Sequence, residues 1–199
     1  MSLMRIMSST HKYFNPEYEE FKHQTYVGLT HFYRPNMVTF EWPSMRDEPE
    51  MYSPRLDIAV GPFATNRRFI QEYDDLMQAS RNFIVQLIDF HIGNIRRFDN
   101  PNYDLSFDQL KSKNYNSRCL LAIEVENVTS PKYIIGSAVN ASALGRVGIF
   151  IAWTPPKLKQ YIKLRKYLEF LASVEKNTFD TTNLLILDRN QFLSALQIR

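Results

Sequence analysis

The stretch 119–153, CLLAIEVENVTSPKYIIGSAVNASALGRVGIFIAW, reads as a strand, a helix of small residues and a second strand. Alternation along Cys119–Asn127 puts Leu120, Ala122, Glu124 and Glu126 on one face and Cys119, Leu121, Ile123 and Val125 on the other. A strand that is apolar nearly throughout sits inside a sheet with both faces covered. Ionised carboxylates there are costly unless a cation, a hydrogen-bonding partner or solvent compensates them. The two glutamates lie roughly 7 Å apart along the strand, room enough for a metal-bound water or a phosphate. The pair marks either a site or the point where the strand leaves the core and meets water.

After a turn at Asn127–Pro131, a helix is expected from about Lys132 to Leu144, kept slim by Gly136, Ser137, Ala138, Ala141, Ser142 and Ala143. Gly145 suits the left-handed conformation that ends a helix. The strand Val147–Trp153 follows at once. Strand, helix, strand in this order is a βαβ crossover, which makes the two strands parallel and the connection right-handed.

Working back toward the start, Met37–Trp42 and Pro54–Gly61 read as strands. In the second, Leu56, Ile58 and Val60 are expected on one face and Asp57 and Ala59 on the other. Asp57 is thus a third acid on an otherwise apolar strand. A helix over about 16–30 precedes these strands, with Pro16 and the acids Glu17, Glu19 and Glu20 suited to its first turn.

The chain has 199 residues, 44% hydrophobic and 23% charged, and is expected to form one domain over 1–199. A helical stretch at about 66–97 separates Asp57 from Glu124, with Gly93 bending or ending it and His91 on its apolar stripe as a hydrogen-bonded core histidine. Its arginines, Arg67, Arg68, Arg81, Arg96 and Arg97, suit a solvated face, with phosphate contact the alternative. Residues 98–118 read as a loop with a short helical turn near Phe107–Lys111. A basic helix over Lys157–Lys176 has Leu158, Tyr161, Leu164, Leu168, Leu171 and Val174 as its buried set. Lys157, Lys159, Lys163, Arg165 and Lys166 are then a solvated face or a surface for backbone phosphates. A strand Asn183–Leu187 and a helix Arg189–Leu196 close the fold.

The formal charge of +3 permits a polyanionic partner without requiring one. The single cysteine, Cys119, excludes an internal disulfide framework and points to a reducing compartment. No segment has the length of a membrane span and the start lacks a signal-peptide core, so a cytoplasmic protein with no membrane partner is expected. Met1-Ser2-Leu3 ahead of Met4 looks like a vector-derived addition. There is no Cys-x-x-Cys or His-rich zinc pattern, no Walker-type glycine loop and no G-x-G-x-x-G after a strand. Ser142 lacks the strand-to-helix elbow of a hydrolase nucleophile.

The order helix, strand, strand, strand, helix, strand stands beside Ser53-Pro54-Arg55-Leu56-Asp57 on the second strand and Ile123-Glu124-Val125-Glu126 on the third. Over residues 16–153 the sequence resembles the PD-(D/E)xK nuclease superfamily. The resemblance implies an α/β protein with a restriction-endonuclease-like three-layer core, a mixed central sheet flanked by helices, and 66–97 as a helical insertion. Most members carry lysine where this chain has Glu126; some place the lysine on the following helix, where Lys132 is the substitute.

The resemblance further implies Mg²⁺ or Mn²⁺ held by Asp57, Glu124 and the Val125 carbonyl. Glu126 would then orient or deprotonate the attacking water or hold a second ion, and Lys132 would stabilise the phosphate. DNA is the implied partner, and a homodimer is implied for cutting both strands. The expected function is a Mg²⁺-dependent endonuclease. The alternatives are a catalytically silent nuclease-like module that binds nucleic acid or protein, and a structural partner in a phage, defence or mobile-element assembly.

Overall fold

The apolar run at 119–126 lies at the centre of a five-stranded sheet in the computed structural model, which describes residues 16–44, 50, 52–64, 68–128, 130–176 and 180–197. Met1-Ser2-Leu3, Met4 and Arg67 lie outside the described residues. The strands are β1 (Val38–Pro43), β2 (Arg55–Val60), β3 (Cys119–Glu126), β4 (Gly145–Ala152) and β5 (Leu184–Asp188), in spatial order β1-β2-β3-β4-β5. β2 runs antiparallel to β1 and β3, whereas β3, β4 and β5 are mutually parallel. Every residue of β3 and β4 is buried, as near-continuous apolar runs require.

Helices cover both faces, which makes the chain an α/β protein with a mixed sheet between two helical layers. One face is packed by α1 (Pro16–Leu29), α2 (Ile70–Ala79), α3 (Arg81–Phe98), α4 (Phe107–Lys111) and α7 (Arg189–Ala195). Phe21, Phe83 and Phe192 meet Ile123, Ile149 and Ile151 there. The other face is packed by α5 (Pro131–Leu144) and α6 (Pro155–Ser173), whose Ala138, Ala141 and Tyr161 meet Ala59, Ala122 and Phe150. A Cβ on Gly148 of β4 would stand 2.9 Å from the Ala141 carbonyl carbon and oxygen, so glycine there is what lets α5 lie close to the sheet.

Several expectations need correction. Gly145 is extended, with φ −87° and ψ 144°, and it is the first residue of β4, paired with Cys119, instead of a left-handed helix stop. Its missing side chain serves close packing, because a Cβ would meet the Ala122 Cβ at 2.8 Å. Strict alternation also fails at the start of β3: Leu120 packs in the same cluster as Leu121, and Cys119 packs with Ala122. Leu56 likewise joins Ala59, away from Ile58 and Val60. The pairing of β2 with β3 ends at Ile58, and although β1 still pairs Trp42 with Leu56 and Pro43 with Arg55, Glu41, at φ 51°, drops out of that ladder where Asp57 would face it, an irregularity that disturbs the pleat there.

Within the expected helical stretch at 66–97 the described residues form two helices from Ile70 on, parted at Ser80, whose hydroxyl donates to the Leu76 carbonyl at 2.8 Å and bonds the buried Tyr33 hydroxyl at 2.9 Å. α3 continues through Gly93 to Phe98. The expected turn at Phe107–Lys111 forms as α4, closed by a Ser106–Gln109 capping box.

His91 is buried and bonded as expected. Its Nδ1 accepts the Ile186 N–H at 2.9 Å, and Asn94 Nδ2 donates to the Ile186 carbonyl at 3.0 Å, so α3 satisfies the outer edge of β5. On α6, Val174 is 43% exposed and outside the buried set, while Arg165 is buried, bound to Asp99 at 3.1 Å and also to Glu169. Among the described residues, no helix is long and apolar enough to cross a membrane.

Candidate active site

Asp57, Glu124 and Glu126 are 7%, 4% and 6% exposed, so none marks an exposed strand end. The last paired positions of β2 and β3 are Ile58 and Ile123; one step further along this register, Asp57 falls opposite Glu124. The ladder gives way there to a side chain. Asp57 Oδ2 accepts the Val125 N–H at 2.8 Å, which fixes the carboxylate against β3 and supplies the kind of donor an ionised acid favours.

Glu126 is held from α5. The Ser137 hydroxyl donates to its Oε1 at 2.6 Å. Its carbonyl accepts the Trp153 N–H and the Tyr161 hydroxyl, each at 3.0 Å, and Tyr161 also reaches the Val128 carbonyl at 3.0 Å. Burial, with the Glu126 charge adding to it, pushes the Tyr161 phenol well above its ordinary range, so it serves here as a hydrogen-bond donor. These contacts from β4 and α6 fix the end of β3.

Lys132 stands exposed on the first turn of α5. No hydrogen bond or ion pair joins it to the three acids among the described residues. Lys157, in the first turn of α6, instead places its Nζ on the carbonyl and side-chain oxygens of Asn127, the residue after Glu126. A signal for Lys157 is present in the sequence. β3 and β4 are parallel neighbours, so the helices that follow them open at the same end of the sheet. Ser137 reads from sequence only as a small packing residue, and nothing there distinguishes it as a carboxylate's donor.

The acids sit apart from the cavity of about 250 Å³ whose lining includes Tyr103, Lys113, Arg165, Glu169 and Thr181. Among the described residues, no group of three or more His, Cys, Asp or Glu side chains converges to hold a metal ion. Glu126 is bonded to Ser137, and Asp57 and Glu124 fall opposite one another when the β2–β3 register is carried one step past its last pair. Two carboxylates of this kind are hard oxygen donors, and Mg²⁺ is commonly bound by one or two carboxylates with waters and substrate phosphate completing its shell. The donor chemistry fits the ion. Comparison with protein families, with curated proteins and with solved structures found no match.

Proposed function

We propose that this chain is a Mg²⁺- or Mn²⁺-dependent endonuclease that hydrolyses phosphodiester bonds of DNA on a restriction-endonuclease-like core. The observation that carries the reading is the buried pair Asp57 and Glu124, opposite one another where β2–β3 pairing ends, with Glu126 next along the same face. The order α1, β1, β2, β3, α5, β4, with acids on the second and third strands, supports the fold reading.

Asp57 and Glu124 would hold the ion, with the Val125 carbonyl as a further oxygen. When bound, such an ion supplies an acidified water and offsets the charge that develops on the scissile phosphate. Glu126, oriented by the Ser137 hydroxyl, positions that water or takes its proton. A glutamate cannot supply the positive charge of the lysine it replaces. That charge falls to Lys132 at the mouth of α5 and to Lys157 beside Asn127. A homodimer that cuts both strands belongs to the same proposal.

The test is cleavage of supercoiled, linear and single-stranded DNA with Mg²⁺ or Mn²⁺, comparing wild type with Glu124→Ala prepared identically. Loss of at least about 100-fold in the variant is expected. Equal cleavage by both proteins overturns the assignment. DNA binding without cleavage by either protein gives the silent nuclease-like module instead.

A further inference from the structure

α6 begins at the acidic end of the sheet, where Lys157 meets Asn127, and its outward face carries charge and rings together. Lys159, Lys163, Lys166 and Phe170 follow at i, i+4, i+7 and i+11, which places them on one side of the helix along about 16 Å. Tyr167 flanks this row, one turn beyond Lys163. Lys159 and Lys163 are exposed, as are Tyr167 at 48% and Phe170 at 58%. No acid occurs in α6 before Glu169. Lys166 bonds Asp99 at 2.7 Å; Lys159 and Lys163 have no carboxylate partner among the described residues. On the neighbouring α5, Tyr133 is 64% exposed beside Lys132 at the same end.

The charge and the rings select the partner. Protein–protein interfaces favour aromatic residues but are depleted in lysine. A surface that sets two unpartnered lysines a turn or two ahead of two exposed rings matches a polyanion whose bases are free to stack. Duplex DNA presents its phosphates to lysines but keeps its bases stacked inside, out of reach of a ring on a convex helix. We propose that the outward face of α6 is a platform for single-stranded nucleic acid: Lys159 and Lys163 take backbone phosphates, Tyr167 and Phe170 stack bases, and the strand is led toward the acids at the start of the helix. The substrate class is therefore a single strand or a duplex with a single-stranded arm. This rests on the nuclease reading for its purpose, though the binding surface is tested without it.

The experiment measures fluorescence anisotropy of a labelled 20-nucleotide oligo-dT and of a blunt 20-base-pair duplex, in EDTA, across a salt series. Wild type is expected to bind the single strand more tightly. Tyr167→Ala and Phe170→Ala should each weaken that binding at least about fivefold, with little effect on the duplex. Lys159→Ala/Lys163→Ala should reduce the slope of log affinity against log salt by about 1.4, two phosphates at about 0.7 each.

Thermal unfolding, unchanged in these surface variants, separates lost contacts from lost folding. Wild-type affinity for oligo-dT in both ring variants overturns the platform even if the lysines matter, as does equal or tighter binding of the duplex. Dissociation of a dimer by Phe170→Ala, or binding to anionic vesicles in place of oligo-dT, assigns the face to a second copy or a membrane surface and also overturns it. Metal-dependent cleavage is scored separately. A wild type that binds as described and cleaves nothing removes the nuclease and keeps the platform; α6 variants indifferent to oligo-dT in a protein whose cleavage depends on Glu124 do the reverse.

Discussion

The two faces of the sheet are built from different materials. Beneath α1, α3 and α7 the core is made of rings: Phe83 stacks on Phe32 with centroids 4.8 Å apart and meets Phe192 at 6.4 Å, and Phe21 meets Trp153 at 5.6 Å. Where α5 approaches the sheet the contact is made by small residues, Ala59, Ala122, Ala138 and Ala141 with Gly148, while the rings of this face, Phe150 and Tyr161, pack together at 4.7 Å under α6. Rings remove much apolar surface from water and so supply stability. Small residues contribute little burial each, but they bring a helix start and a hydroxyl within reach of the carboxylates at the strand ends. One face holds the molecule together and the other brings chemistry close.

The largest effect separates these roles directly. Phe83→Ala, at a fully buried site, should cost about 3–5 kcal/mol in urea unfolding. Glu126→Gln on the opposite face should change stability by less than about 1 kcal/mol, because the amide oxygen still accepts from Ser137 and the desolvated charge is gone. Metal-dependent cleavage should nevertheless fall. Equal destabilisation by the two substitutions would break the comparison.

A pair of glycine variants sharpens it with opposite signs. Gly148→Ala puts a methyl group 2.9 Å from the Ala141 backbone and 3.1 Å from Leu184 Cδ1. α5 must move outward, at about 1–3 kcal/mol. Gly93→Ala on α3 meets nothing within 4 Å and should gain about 0.5–1 kcal/mol from a better helix former. Denaturant midpoints check both, and a neutral Gly148→Ala would mean that α5 is not held close by the missing side chain.

What could be read from the sequence follows the same division. The βαβ unit and the placement of Asp57, Glu124 and Glu126 on strands were legible because periodicity is local. A carboxylate in an apolar strand is visible without knowing any neighbour. Partners far along the chain were not legible: Arg165 reads as one more basic residue of a solvated face until Asp99, 66 residues earlier, is placed beside it. Lys157 and Ser137 depend similarly on which helix starts meet which strand ends. The helix break at Ser80 carried no glycine or proline to announce it. Gly145 misled because turn chemistry and close packing both ask for glycine.

The smallest effect at neutral pH concerns His91, where α3 meets the outer edge of β5. Burial, reinforced by the Arg165 charge, lowers the His91 pKa from 6.5 to about 3, so the folded protein keeps the imidazole neutral through mildly acid conditions. The unfolded chain takes up its proton below about 6.5. The stabilisation from the neutral ring is therefore complete above pH 6.5 and lost as pH falls toward 3, with a slope of up to about 1.4 kcal/mol per pH unit. His91→Asn removes the titration while an amide oxygen takes over the Ile186 N–H. Urea unfolding of both proteins at pH 7, 6, 5 and 4 should diverge below 6.5, with wild type losing stability more steeply by up to one proton's worth. Parallel curves would show that His91 is not the group whose neutrality the fold depends on.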